Sequence, residues 1–166
     1  MGKAFIWHKE MAKLKFIVVG KTKAPFLRQG EEFYLHKIRH YVNAEWIEVR
    51  GAKATKGKPD QQVLTEESLQ IQKRIGARDF VVSLDIRGKA LDSLELSKFL
   101  EGLLARGRPI TFIIGGPLGL HASVEQRANE TISLTRLTLT HELSRLVLLE
   151  QVYRAFTIIT GRKYHK

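Results

Sequence analysis

The sequence predicts a single α/β domain, built on a mostly parallel β-sheet with helices on both of its faces. Short apolar runs rich in β-formers alternate along the chain with segments whose apolar residues recur at helical spacing. Strands separated by helices pair in parallel, because the connecting helix carries the chain back across the sheet. A chain of 166 residues suits one domain with one core, and neither a repeat nor a linker divides it.

Strands and helices are expected in strict alternation. The predicted strands cover residues 14–19, 44–49, 80–84, 110–114 and 132–134. The predicted helices cover residues 26–41, 60–75, 92–105, 122–129 and 142–160. Asp60 and Thr140 are expected to cap two of these helices, since a side-chain oxygen in front of a helix satisfies free backbone N–H groups. Gly161 is placed to end the last helix.

The charge of the chain indicates a polyanionic partner. The formal net charge is +11, and a protein that neutralises phosphates releases their counterions. The expected RNA contacts are cationic side chains in the loop at residues 50–59 and in the tail after residue 160. They are Lys53, Lys56, Lys58, Arg162 and Lys163. The other interpretation is a basic protein whose charge serves only solubility.

Several classes of protein are excluded or disfavoured. The chain has no cysteine, which excludes disulfides and thiolate sites and fits a cytoplasmic protein. The six histidines show no pair at close ligand spacing with acidic partners, so no metal site is expected. No apolar run is long enough for a membrane span. Residues 1–10 do not resemble a signal peptide and are interpreted as a tag remnant or an alternative start, which leaves 11–166 as the domain.

Two predicted strands end in segments suited to a ligand. The strand at 110–114 runs into Gly115-Gly116-Pro117-Leu118-Gly119, and Leu84-Asp85 closes the strand before it, with Gly88 expected in a turn. Ligands bind beyond the carboxyl ends of parallel strands, and glycine lets them reach the backbone. A tight strand-to-helix turn and an ordinary turn aspartate are the alternatives. The phosphate-binding loop and the dinucleotide fingerprint are both absent.

The C-terminal third contains two further candidates. Residues 134–142 are rich in hydroxyls and lack any regular period, so their backbone groups could meet an adenine edge or simply form a capping loop. The tail ends in Arg162, Lys163, Tyr164, His165 and Lys166. A tyrosine can stack on a base while cations hold phosphates, although a solvated basic end is the simpler interpretation.

These segments together resemble one family. The glycine turn, the Ser83-Leu84-Asp85 strand end, the run from Arg145 to Phe156 and the terminal Tyr164-His165-Lys166 are similar to the SPOUT-class ribosomal RNA large subunit methyltransferase H family, which is specific for N3 of pseudouridine. The resemblance runs from about Lys13 to the C-terminus. The chain departs from the family at Thr140, where proline is usual, and Glu142 is also atypical.

The resemblance implies a deep C-terminal trefoil knot, a homodimer, S-adenosylmethionine as cofactor and ribosomal RNA, on an assembled ribosome, as substrate. By position, the implied cofactor contacts are Leu84, Gly116, Leu134, Thr135, Arg136, Leu137, Thr138 and Leu139. The implied catalytic and RNA-side residues are Arg154, Tyr164 and His165. His165 is the candidate base for the ring N–H, with water or Lys166 as alternatives.

Two other functions are alternatives to RNA methylation. A non-catalytic RNA- or ribosome-binding protein would bind RNA without binding the cofactor. A Rossmann-like oxidoreductase would need the glycine fingerprint that the sequence lacks. The long helix at 142–160 is apolar on more than one side, which favours a second subunit packed against it.

Overall fold

The computed structural model describes residues 12–53 and 55–164. Strands and helices alternate as predicted. The strands are β1 (Lys13–Val19), β2 (Asn43–Val49), β3 (Phe80–Ala90), β4 (Ile110–Ile114) and β5 (Glu130–Ser133). The helices are α1 (Pro25–Ile38), α2 (Asp60–Gln72), α3 (Ser93–Leu104), α4 (Ala122–Arg127) and α5 (His141–Ile159). Residues 1–10, interpreted above as a tag remnant or alternative start, lie outside the described part.

The five strands form one sheet in the order β2-β1-β4-β3-β5, and every neighbouring pair is parallel. All the carboxyl ends of the strands therefore lie along one edge of the sheet. The predicted α/β architecture is confirmed. The trefoil knot that the family resemblance implies stays a prediction.

Helices cover both faces of the sheet, because the central strands are apolar on both sides. Phe16 and Phe112 belong to the core beneath α1, α3 and α5, to which α5 contributes Leu148, Val152 and Phe156. A smaller core on the opposite face joins alternate residues of the same strands to α2 and α4, including Ile17, Ile113, Ile71 and Val124. The larger core explains why α5 is apolar around much of its surface.

The prediction of Thr140 as a helix cap is confirmed. The Oγ1 of Thr140 accepts a hydrogen bond from the backbone N–H of Leu143. Asp92 lies just before α3 and forms a capping box with Glu95. The prediction for α2 is wrong, since extended Pro59 occupies the cap position without a side-chain bond and Asp60 is the first helical residue.

The prediction of a turn at Gly88 is also wrong, because β3 continues to Ala90. The pairing of β3 with β5 changes register between Leu84 and Lys89, and both of these residues lie opposite Ile132. A Cβ at Gly88 would lie 2.6 Å from the carbonyl carbon of Ile132. Gly88 is therefore needed for close approach of two backbones at a bulge rather than for reversing the chain.

Candidate active site

A cavity of about 170 Å³ opens beside the middle of β3 and the carboxyl end of β5. Its walls come from residues 84–86 of β3, from the loop after β5 and from the first turn of α5. The lining residues are Leu84, Asp85, Ile86, Ser133, Leu134, Thr135, Leu137, Thr138, Leu139 and Ser144. The structure thus brings together Leu84 and five of the six predicted cofactor contacts in residues 134–139. Arg136, the sixth, is exposed on the same loop.

The loop between β5 and α5 has an ordered shape that its hydroxyl groups maintain. The Ser133 hydroxyl donates to the Thr135 carbonyl at 2.9 Å, and the Thr135 hydroxyl accepts from the Leu137 N–H at 3.1 Å. The Ser144 hydroxyl donates to the Thr140 carbonyl at 3.0 Å. Thr140 thus fixes the end of the loop on α5 through both its hydroxyl and its carbonyl, in the place where the family usually has proline.

The backbone of this loop leaves polar groups beside the cavity. Among the residues that the structure describes, 134–139 form no backbone–backbone hydrogen bond, which leaves amide and carbonyl groups available beside the cavity. Leu84, Leu137 and Leu139 add apolar surface there. Sites of this kind combine apolar walls with a few fixed polar groups.

Two charged side chains of β3 beside the cavity are held by ion pairs. Asp85 accepts two bonds from the Arg87 guanidinium, at 2.8 and 3.1 Å, and Arg87 also reaches Glu125 at 2.8 Å. Hydrogen bonding to Arg87 keeps the pKa of Asp85 below its ordinary value. Asp85 is therefore a charged wall of the cavity rather than a proton donor.

Gly116 lies elsewhere on the same sheet edge. A Cβ there would lie 3.4 Å from Oε2 of Glu67 and 3.4 Å from Cγ1 of Val19, so Gly116 faces α2 and β1. It is not among the residues that line the cavity beside Leu84. Its predicted contact with the cofactor stays a prediction.

Arg154 and Tyr164 meet at the other end of α5. The Arg154 guanidinium bonds Oε1 of Glu150 at 2.6 Å and lies 4.8 Å from the centre of the Tyr164 ring. The Tyr164 hydroxyl donates to the same Oε1 at 3.3 Å, and its ring packs edge-on against Tyr153 at 4.9 Å. Glu150 and Arg154 thus form an ion pair one helical turn apart. His165, the candidate base, and Lys166 lie outside the described residues.

The protonation states of this cluster are set by its contacts. A hydrogen bond with Tyr34 and burial raise the pKa of Tyr164, and the Glu150 charge acts in the same direction. Hydrogen bonding to Glu150 raises the pKa of Arg154. Tyr164 is therefore a neutral hydroxyl and Arg154 a fixed cation near neutral pH, so neither can act as the base.

The cavity and the Arg154–Tyr164 cluster do not meet within one chain. Ser144 lines the cavity and Arg154 follows ten residues later on the same helix. At about 1.5 Å per residue, the two positions are roughly 15 Å apart along the helix axis. One chain therefore supplies two separate halves of the predicted site.

Two residues near the cavity carry roles that the sequence reasoning missed. Arg145 is fully buried and donates to the carbonyls of Val19 at 2.6 Å and Gly20 at 3.1 Å. Glu142 accepts the backbone N–H groups of Lys23 and Ala24 at 3.0 and 3.2 Å, just before α1, where a helix favours negative charge. No local signal separates Arg145 from a solvated helix residue, because it stands just before the apolar run at 146–149.

Neither a metal-binding cluster nor a membrane-spanning helix occurs within the described ranges. Residues 12–53 and 55–164 hold no group of three histidine or acidic side chains placed to ligate a metal. No helix among them is both long and apolar enough to cross a membrane.

Comparisons with known proteins converge on one family. A family model described as predicted SPOUT methyltransferase matches residues 12–165. Ribosomal RNA large subunit methyltransferase H of Streptococcus pneumoniae strain CGSP14 is 45% identical over 158 residues, covering 93% of this chain and 99% of the relative. The same protein of strain 70585 matches equally.

Solved structures share the fold at low identity. A probable methyltransferase from Bordetella pertussis Tohama I has a TM-score of 0.55 at 12% identity, covering 87% of this chain and 95% of its own. A probable methylase family protein from Haemophilus influenzae Rd KW20 has a TM-score of 0.52 at 12% identity, covering 96% of this chain and 72% of its own. With the family match over nearly the whole sequence, we conclude that the chain belongs to the SPOUT methyltransferase family.

Proposed function

We propose that the protein transfers a methyl group from S-adenosylmethionine to N3 of a pseudouridine in large-subunit (23S) ribosomal RNA, on the assembled ribosome. The observation that carries the proposal is the cavity between Leu84 and the loop 134–139, in a chain of this family. The relatives from Streptococcus pneumoniae are named ribosomal RNA large subunit methyltransferase H, which supports a large-subunit RNA substrate. A ribosomal substrate would also place the enzyme in the cytoplasm.

S-Adenosylmethionine would supply an activated methyl group whose positive charge disappears on transfer. In this chain, Leu84 and the apolar side chains of Leu137 and Leu139 would hold the adenosyl group. The free backbone groups of 134–139 would pair with the adenine edge. The contribution of these residues is positioning, which can lower a barrier without stabilising new charge.

The target N3 carries a proton that must leave before or during methyl transfer. His165 is our candidate base, with Lys166 and water as alternatives. Arg154 would favour the anionic base electrostatically, while Glu150 fixes its orientation through the 2.6 Å bond. Tyr164, neutral and packed against Tyr153, would stack on the target or orient it.

A homodimer would join the two halves of the site. The roughly 15 Å between Ser144 and Arg154 along α5 separates the cavity from the tail cluster within one chain. A second copy could place its tail at the first copy's cavity. Exposed apolar side chains near the start of α5, such as Leu137 and Leu143, offer surface for that contact.

The exposed cationic side chains of the loop after β2 and of the tail favour RNA as the partner. Lys53 and Lys56 are exposed in the loop after β2, and Arg162 and Lys163 are exposed in the tail. These positions would contact phosphates in a salt-dependent way. A non-catalytic RNA-binding protein is not favoured, because it would not account for the cavity or the family match.

The experiment is tritiated-methyl transfer from S-adenosylmethionine to ribosomes that carry the target pseudouridine. We expect incorporation into large-subunit RNA, and little or none into ribosomes that have uridine at that position, because uridine has the same N3–H but lacks the additional N1–H by which an enzyme can recognise pseudouridine. Calorimetric titration should separately detect cofactor binding by the protein alone. Cofactor binding without methyl transfer to any ribosomal RNA would contradict the proposed substrate.

A further inference from the structure

A second cavity, of about 300 Å³, lies beside α2 at the carboxyl edge of the sheet. Its walls are the loop after β2, the first half of α2 and the turn after β4. The lining residues are Ala52, Thr55, Lys58, Asp60, Val63, Glu67, Pro117 and Leu118. None of them lines the cavity beside Leu84. Its size is at the lower end of the range for small-ligand sites, which begins at roughly 300 Å³.

Glu67 is the buried polar group of this second cavity. Its side chain belongs to a residue only 7% exposed, and its Oε1 accepts the Ala52 N–H at 3.2 Å. Within the described ranges, Oε2 has no hydrogen-bond partner and no cation forms a salt bridge with the carboxyl group. Burial raises the pKa of Glu67, and neighbouring Glu66 acts in the same direction. Among the described residues, the buried side-chain polar atom without a partner is Nε of Arg145, so Oε2 of Glu67 keeps access to the cavity, where an N–H donor can bond it.

The loop that forms the rim is cationic. Arg50, Lys53, Lys56 and Lys58 occur within nine residues that include no acid. Lys58 is paired with Glu66 of α2 at 2.7 Å, whereas Arg50, Lys53 and Lys56 are exposed. An occupant that combines an N–H donor with flanking negative charge matches both features, and an unpaired nucleotide has this combination.

The apolar walls suit the flat face of a base. Val63 lies on one side, and Pro117 and Leu118 on the other side belong to the turn after β4. Leu118 is 43% exposed, so this surface is accessible. Glu67 also lies against Gly116, since a Cβ on Gly116 would be 3.4 Å from Oε2. The second cavity therefore adjoins the turn that is predicted to contact the cofactor.

We propose that this cavity binds one unpaired base of the RNA substrate, with Oε2 of Glu67 accepting a hydrogen bond from a base N–H and the loop cations holding the flanking phosphates. The inference rests on the proposed function, because it takes RNA as the substrate. Glu67 would be a specificity residue, since an acceptor at this position selects bases that present a donor.

Replacing Glu67 by glutamine tests the acceptor. Glu67→Gln keeps the volume and can still accept from Ala52, but it puts an amide donor in the position of Oε2. Glu32→Gln, at an exposed position of α1, makes the same change in charge and is the matched control. Electrostatics alone would make both variants bind RNA as well as the wild type or slightly better. We expect only Glu67→Gln to raise the KM for ribosomes, by roughly tenfold, with cofactor affinity unchanged.

A second variant keeps the test independent of how well Glu67→Gln folds. Val63→Phe fills the cavity from its rim and leaves the carboxyl group in place, so it too should raise the KM for ribosomes at unchanged cofactor affinity. Wild-type KM in both folded variants would overturn this inference and leave the proposed function intact. Failure of the wild-type protein itself to methylate ribosomal RNA would instead overturn the proposed function.

Discussion

At the scale of single residues, the start of α5 is held by a buried network centred on Arg145. Its guanidinium donates to Thr22 at 2.9 Å, and Thr22 donates to the buried carboxyl group of Glu31 at 2.7 Å. Burial lowers the pKa of Arg145 and raises that of Glu31, because it disfavours the charged form of each group. Hydrogen bonds and opposite charge from their neighbours therefore stabilise both charges. Arg145 follows Ser144, which lines the cavity. The network therefore fixes the cavity wall relative to β1.

Replacing Arg145 by methionine should strongly destabilise the protein. The change leaves the carbonyls of Val19 and Gly20 and the hydroxyl of Thr22 without their donor, and leaves Glu31 without its nearby cation. Removing one partner from a buried charged network costs about 3–5 kcal/mol. Urea unfolding followed by circular dichroism should show that loss, with a smaller loss for Arg145→Lys, which keeps the charge without the planar fork.

The matched control is Arg78→Met, at an exposed position between α2 and β3. Surface substitutions of this kind change stability by about 0.5 kcal/mol or less. Equal losses in the two variants would show that the Arg145 network does not stabilise the fold.

At the scale of elements, the turn after β4 has two adjacent glycines with different constraints. A Cβ on Gly115 would overlap the carbonyl oxygen of Gly119, which is backbone and cannot rotate away. A Cβ on Gly116 would meet Val19 and Glu67 at 3.4 Å, which small side-chain shifts can accommodate. Gly115 is thus required by the turn itself, whereas Gly116 is free to serve a ligand.

Alanine substitutions should separate these roles. We expect Gly115→Ala to lower the free energy of unfolding by about 1–3 kcal/mol, the usual cost of overpacking. Gly116→Ala should keep a near-wild-type unfolding transition but weaken cofactor binding, because its methyl group would alter the backbone surface predicted to contact the ligand. Chemical unfolding and calorimetric titration of S-adenosylmethionine measure the two effects.

Gly102→Ala provides the control for the substitution itself. Gly102 lies within α3 with nothing within 4 Å of a Cβ, so alanine there should raise stability by about 0.5–1 kcal/mol. Unchanged cofactor affinity in Gly116→Ala would show that the cofactor does not use this part of the turn.

The elements that the sequence predicted best are those specified by local signals. The predicted and observed boundaries of β4 are the same, because Ile110–Ile114 is a continuous apolar run that ends at paired glycines. Thr140 was predicted as a cap because its hydroxyl precedes an apolar helix. The length of β3 could not be predicted locally, since its last residues pair with β5 only after a change of register.

Prediction of the site shows the same division between local and tertiary information. Leu84 and the loop 134–139 were expected at one sheet edge, and the structure places them around one cavity. Glu67 and Arg145 are single charged residues in helices, and nothing local distinguishes them from solvated side chains. Their burial depends on Gly116, Val19 and Thr22, which are distant in sequence.

At the scale of the whole molecule, the arrangement of α5 determines how the proposed reaction could be assembled. One end of α5 forms part of the cavity at Ser144, and the other carries Arg154 beside Tyr164. A homodimer in which each tail serves the other copy's cavity accounts for this separation. In such a dimer, two defective subunits with lesions in different halves of the site would together contain one intact site.

Mixing two inactive variants should therefore restore activity. Deleting residues 164–166 removes the tail cluster but leaves the cavity, so this variant should fold and bind S-adenosylmethionine without transferring its methyl group. Ser144→Trp should fill the cavity of about 170 Å³ and abolish cofactor binding while leaving the tail intact. After subunit exchange at equal concentrations, half of the dimers would be mixed with one complete site each, giving about a quarter of wild-type methyl incorporation.

Each variant mixed with itself is the control, and sedimentation of the wild type should show a dimer at micromolar concentration. No activity in the mixture, despite mixed dimers detected with differently tagged subunits, would mean that each tail serves its own chain's cavity and must reach it by a rearrangement of residues 160–164.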